Sequence, residues 1–293
     1  MKPERLVLNP HHWGEDYIGI LSDLLHGAPV KEGRNGLTNH RFGKQVMHDM
    51  RAGFPVLTTK KTFWKMGVTE LLWILNGRTD LQYLHDNGVT YWDKDYKRSG
   101  RTDGTLGPVY GHQMRNFNGL TYNIGSTEAK TGVDQLLNVV KSLSSDPNGR
   151  RHLINLWNPE QMNEAALPCC WYSIQFNIDG KFMDIMWTQR SADWFLGVPM
   201  DMVMMATFLQ LMAQGLNYTP RYVVGNFGDT HLYHAHFDAA REQISRQPKI
   251  CKPELLSQSG IRLNLNKEVV LPQPSDFELI NYEFHPAIKA ELT

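Results

Sequence analysis

What the chain lacks narrows its function first. Three cysteines, Cys169, Cys170 and Cys251, are too few for a disulfide framework, and the adjacent pair fits no metal spacing. A reduced, intracellular setting is expected. No run approaches the ~20 apolar residues of a membrane span. The opening MKPERLVLNPHHWGEDY has no apolar stretch of the kind that directs secretion, so a cytoplasmic location is expected. Neither sign of charge prevails, because thirty Lys and Arg face thirty Asp and Glu. No long-range field would hold the protein on nucleic acid or membrane, and an anionic ligand must be bound by a few local cations. No glycine-rich phosphate loop follows a strand-like run, which removes nucleoside-triphosphate and dinucleotide folds. No repeat, low-complexity tract or linker divides the chain, so one domain over residues 1–293 is expected.

What is present is periodic. Val68, Leu71, Leu72 and Leu75 recur at helical intervals before Gly77. Val133, Leu136, Leu137, Val140 and Leu143 do the same before the turn Asp146-Pro147-Asn148-Gly149. Pro199 can open a long helix with Met202, Met205, Ala206, Leu209 and Met212 on one face. Strand-like runs cover Arg151 to Trp157, Tyr172 to Ile178 and Lys181 to Thr188, and Asp179-Gly180 between the last two signals a hairpin. Loops are expected at Lys97 to Thr105, at Phe117 to Thr131, and at Lys249 to Ser259 before a terminal strand. This mixture predicts an α+β layer with a mixed sheet packed by helices.

The chemistry concentrates in LPCCWYSIQFNIDGKFMDIMWTQRSADWFLGVPMDMVMMA, from Leu167 to Ala206. A cysteine stands before one strand, and Gln189-Arg190-Ser191 ends the next. A nearby guanidinium stabilises a thiolate and can grip a phosphate with two N–H groups. By itself this pattern is weak, since a buried cysteine is more often a small core hydrophobe.

The segment resembles thymidylate synthases and the related pyrimidine nucleotide hydroxymethylases. The similarity lies in Pro-Cys before a Gln-Phe strand, Gln-Arg-Ser-x-Asp, and a Leu-Gly-x-Pro turn. It extends through PVLTTK (55–60), ELLW (70–73), YLHDNGVTYWD (83–93), LGPVYGHQMR (106–115), DPNGRR (146–151), GDTHLY (228–233) and HPAIK (285–289). The resemblance implies a thymidylate synthase-like fold whose sheet face forms a homodimer interface. It also implies 5,10-methylenetetrahydrofolate as co-substrate and a pyrimidine nucleoside monophosphate as acceptor. Cys170, five residues before Gln175, would add to C6 of the base, and Cys169 would be a bystander. Glu70 would shuttle protons, and Tyr110 would help remove the C5 proton. Arg190 and Arg34, with Arg150 and Arg151 from the second subunit, would hold the phosphate, assisted by Ser191. Gln189, His231 and Tyr233 would complete the nucleotide site. Lys60, Trp92, Leu167, Asp193 and Gly197 would contact the folate, with Lys60 at its glutamate tail. The stretch from Ile288 to Thr293 would close over both ligands. An exposed charge, a helix cap or a satisfied structural histidine is the ordinary alternative for each of these residues.

Departures from thymidylate synthase bear on the substrate. Asp201 stands where those enzymes have asparagine, a residue whose amide matches the uracil edge. A carboxyl group can accept from cytosine N4 and, when protonated, donate to N3. A mismatched buried polar pair costs about 1–3 kcal/mol. The expected substrate is therefore dCMP, although Asp201 could instead cap a helix opening after Pro199. Asp95 replaces a second tryptophan, Trp171 replaces a histidine, and the chain ends Glu-Leu-Thr. A more polar site would admit water and give 5-hydroxymethyl-dCMP. Retention of Trp92 favours methylation, to 5-methyl-dCMP or dTMP. Two other classes stand beside these: an inactive RNA- or nucleotide-binding relative, and a cysteine hydrolase using Cys170, His231 and an aspartate.

Overall fold

The structure, a computed structural model, describes residues 10–120, 131–264, 266 and 268–292. The first half contains α1 (Gly14–His26), β1 (Val30–Gly33), β2 (Gly36–Asp49), α2 (Trp64–Leu75), α3 (Leu81–Asp86), α4 (Asp93–Ser99), α5 (Tyr110–Arg115) and α6 (Gln135–Ser145). The second contains β3 (Leu153–Asn155), β4 (Trp171–Asp179), β5 (Phe182–Asp193), α7 (Gly197–Gly215), β6 (Thr219–Tyr233) and α8 (Phe237–Ser245). Short strands follow: β7 (Glu254–Ser257), β8 (Arg262–Leu263), β9 (Val269–Val270) and β10 (Phe277–Ile280).

A six-stranded sheet runs in the order β1-β2-β6-β5-β4-β3. Neighbours are antiparallel except β5 and β6, which are parallel, so the sheet is mixed and the class is α+β. The hairpin forms as its turn residues require: Asp179 pairs with Phe182, and Gly180 takes φ +60°. Along β5, Met183, Ile185, Trp187 and Gln189 alternate onto the buried face. There they meet α7, in which residues from Val198 to Ala213 are buried almost without break, as expected of a helix sheathed by its own protein. The α2 helix is buried over Gly67 to Leu75, Glu70 included. Strand β6 could not have been read from periodicity, because Gly225 interrupts it. A Cβ at Gly225 would lie 2.6 Å from the Trp187 ring, so glycine there serves close packing rather than a turn.

Several boundaries differ from expectation. The run Arg151 to Trp157 keeps only three residues as strand, β3. The helix expected from Val133 starts at Gln135, where the Asp134 carboxylate accepts from Leu137 N–H, and Val133 is exposed outside it. The loop expected from Lys97 begins inside α4, and that expected from Lys249 contains β7, which pairs with β10. Of the loop expected from Phe117 to Thr131, residues 121–130 lie outside the described residues. Among the described residues, no helix is long and apolar enough to cross a membrane.

The opposite sheet face carries apolar side chains without a covering helix. Met47, Val224 and Met186 are register partners across β2, β6 and β5, hence on one face. Met47 and Met186 are both exposed, as is Tyr172 on β4.

Candidate functional site

Cys170 immediately precedes β4, and its carbonyl accepts from Arg190 N–H on the neighbouring β5. This pairing sets the Arg190 side chain beside the thiol. Its Nε donates to Cys169 O at 2.9 Å, its Nη2 to Pro168 O at 2.7 Å, and Nη2 lies 3.8 Å from Cys170 Sγ. The guanidinium thus braces the loop and touches the sulfur. From α5, the Tyr110 hydroxyl accepts the Cys170 amide N–H at 2.7 Å. Burial nevertheless pushes the Cys170 thiol up, and the Arg190 charge offsets this only in part, with Asp201 and Asp95 opposing. The sequence predicts a thiol lowered by Arg190, and in the structure desolvation outweighs that charge. Cys169 is buried in the core, and desolvation raises its thiol further.

Asp201 lies inside α7, five residues from its start, and caps nothing. Its Oδ1 accepts from Trp171 Nε1 at 2.8 Å and its Oδ2 from Gln189 Nε2 at 3.0 Å. The residue is 7% exposed, and burial raises its carboxyl to about 6. Gln189 is spent on the protein, since its Oε1 accepts from Trp187 Nε1 and its Nε2 also donates to Ser191 O. Expected to touch the nucleotide, it instead holds Asp201.

Glu70 projects from α2 with both oxygens engaged. Trp92 Nε1 donates to Oε1 at 2.7 Å, and the Tyr91 hydroxyl donates to Oε2. Burial raises this carboxyl to about 7 against those two donors. The Trp92 ring is 7% exposed, between Trp73 at 6.3 Å and Tyr110 at 6.2 Å. Tyr91 was not singled out from sequence, because a tyrosine before tryptophan carries no signal of a carboxylate in another helix.

The remaining nucleotide residues divide. Ser191 pairs with Asp229, and Asp193 with His231, across the parallel β5–β6 ladder. The His231 imidazole sits 3.2 Å from Asp229 Oδ1 and edge-on to Tyr233, centroids 5.1 Å apart. Arg34 occupies the β1–β2 turn, 3.8 Å from Asp95 Oδ1. Arg150 and Arg151 are exposed before β3 and make no contact with Arg190 within the chain. No hydrogen bond joins His231 to Cys170 among the described residues, which leaves the hydrolase triad without geometry.

Of the expected folate contacts, Asp193 uses Oδ1 to accept from Phe195 and Leu196 N–H, while Oδ2 has no hydrogen-bond partner among the described residues. Gly197 opens α7 beside it; a Cβ there would stand 3.4 Å from Asp193 Cβ and 3.9 Å from Asp201 Oδ2. Leu167 packs partly buried against the core. Asp193 and Gly197 therefore place a free acceptor oxygen and a residue without a side chain next to Asp201. Lys60 does not fit its expected part. Its ammonium is turned inward, donating to Phe195 O at 2.5 Å and lying 3.5 Å from the Phe195 ring centroid. Burial lowers it to about 7. The next residue, Lys61, is exposed and lies near Phe63 and Phe284. The tail is tied down at Glu291 O by His236 Nε2 and at Leu292 O by Lys94 Nζ, and Thr293 lies outside the described residues.

Comparison with known proteins agrees with this geometry. Residues 15–293 match the model of one protein family, described as thymidylate synthase. A thymidylate synthase of Enterobacteria phage T4 is 33% identical over 299 residues, spanning 95% of this chain and 99% of the phage protein.

Proposed function

The chain belongs to the thymidylate synthase family, and on that premise we propose that its acceptor is dCMP and its product 5-hydroxymethyl-dCMP. The chain is a folate-dependent enzyme of one-carbon transfer to a pyrimidine nucleotide, with methylenetetrahydrofolate as co-substrate.

The whole chain acts as one catalytic domain in this reading. The Cys170 sulfur adds to C6 of cytosine, and C5 becomes nucleophilic and takes the methylene carbon from the folate. Tyr110, bonded to the Cys170 amide and 4.8 Å from the Trp171 ring, is placed to assist loss of the C5 proton. Glu70 relays protons at a carboxyl raised to about 7. Arg190, Arg34 and Ser191 bind the phosphate, and His231 and Tyr233 the sugar. Arg150 and Arg151 of the partner subunit complete the phosphate cup across the uncovered sheet face, where Met47, Met186 and Tyr172 would be buried in a homodimer.

The observation that carries the base assignment is Asp201: buried, ionising near 6, and held by a donor on each oxygen. A neutral carboxyl there accepts from N4 and donates to N3. Asp95 supports water addition, because a carboxylate near enough to raise the Cys170 thiol makes this side of the site polar. Methylation is the second reading, favoured by the retained Trp92. The test incubates dCMP, CMP and dUMP separately with methylenetetrahydrofolate and weighs each product. Gain of a hydroxymethyl group by dCMP alone supports the proposal; a methyl gain on dUMP overturns it.

A further inference from the structure

A neutral carboxyl group can match either pyrimidine, depending on which of its oxygens bears the proton. Cytosine needs the acceptor opposite C4 and the donor opposite N3; uracil needs the reverse. Asp201 therefore selects cytosine only when its proton sits opposite N3. Its surroundings supply the choice. The Trp171 indole is 3% exposed and packed against the Tyr110 ring, centroids 4.8 Å apart. Its only hydrogen bond runs to Asp201 Oδ1, at 2.8 Å. Gln189 divides its amide N–H groups between Asp201 Oδ2, at 3.0 Å, and Ser191 O, at 2.8 Å. A donated N–H draws electron density from the oxygen that accepts it and disfavours a proton there. The shorter contact falls on Oδ1, so the proton belongs on Oδ2.

We infer that Trp171 is the specificity-determining positioning residue of this site, fixing Asp201 Oδ1 as an acceptor for an exocyclic amino group and leaving Oδ2–H to donate to the ring nitrogen. This rests on the dCMP reading above and deepens it. Trp171 acts through Asp201 and need not touch the base. Because it follows Cys170 directly on β4, nucleophile and base selection are set by one stretch of strand.

The test replaces the donor and keeps the shape. Trp171→Phe removes the N–H, and a benzothiophene amino acid at position 171 removes it isosterically should the phenylalanine variant fold poorly. The ratio of kcat/KM for dCMP over dUMP is expected to fall about tenfold or more in either protein, consistent with the discrimination that paired polar sites provide. In an Asp201→Asn background the same replacement should leave the ratio unchanged, since neighbours acting through one group are non-additive. A pH profile separates loss of the N–H from loss of packing, which would admit water and move the limb to lower pH. Groups facing Asp201 are Cys170 just before β4, Asp193 on β5, Glu70 on α2, Tyr110 on α5 and Tyr91. Loss of the indole N–H removes a bond favouring the ionised carboxyl, so the alkaline limb for dCMP should move to higher pH. A folded variant with the wild-type ratio, or one whose ratio shifts equally without Asp201, overturns the inference. A wild-type enzyme that prefers dUMP overturns the dCMP reading itself, which separates the two failures.

Discussion

The indole N–H of Trp92 donates to Glu70 Oε1 at 2.7 Å, joining residues 22 positions apart through the base of the site. With Tyr91 on the other oxygen, Glu70 has a donor for each of its oxygens but no water-exposed surface to speak of. Burial lifts its carboxyl to about 7 while both donors pull it down.

Removing one donor should therefore raise it further. In Tyr91→Phe the kinetic limb belonging to Glu70 is expected to move to higher pH, with KM for the nucleotide little changed. The kcat profile against pH checks this; an unmoved limb would mean that Glu70 does not set it.

The same carboxyl predicts a stability signature. Glu70 holds its proton in the fold up to about 7 but releases it near its ordinary 4.5 when unfolded. Between those values the folded state binds more protons, so stability falls as pH rises. The Tm advantage of Glu70→Gln over wild type should grow from pH 4.5 to about 7 and level off above. A constant difference across that window would contradict it.

Arg190 should govern thiol reactivity as well as phosphate affinity. Its charge is the main influence lowering the Cys170 thiol. Arg190→Gln should slow alkylation of Cys170 by iodoacetamide at a fixed pH, and Arg190→Lys should slow it less. The glutamine variant also orphans the carbonyls of Pro168 and Cys169, costing about 1–3 kcal/mol of stability. Equal alkylation rates in all three proteins would remove Arg190 from this role.

The proposed sharing of sites between two subunits predicts complementation. Cys170→Ala and Arg151→Ala proteins, each inactive alone, should regain activity when unfolded together and refolded as a mixture, because a mixed dimer holds one intact site. Continued inactivity in mixed dimers shown to form would place Arg151 outside the partner's site.

Legibility followed locality. The β4–β5 hairpin could be read because Asp179-Gly180 and the alternation around it are contiguous. Strand β6 was hidden by Gly225 and Gly228, which read as turns but allow close contact with Trp187 and the Arg190 backbone. Cys170, Arg190 and Asp201 were visible as motif and departure, and the structure brings them together. Their supports were not: Trp171 reaches Asp201 across 30 positions and Tyr91 reaches Glu70 across 21, contacts that only tertiary packing creates. The inward turn of Lys60 was hidden for the same reason, since nothing in PVLTTK says that its amine lies against Phe195.

The most direct test traps the bond between enzyme and base. Fluorine at C5 cannot leave as the proton does, so 5-fluoro-dCMP with methylenetetrahydrofolate should stall as a covalent adduct. Mass spectrometry of the digested protein should find nucleotide and folate on the peptide bearing Cys170, absent from Cys170→Ser and formed faster than with 5-fluoro-dUMP. An adduct on Cys169, a preference for the uracil analogue, or no adduct at all would contradict the account.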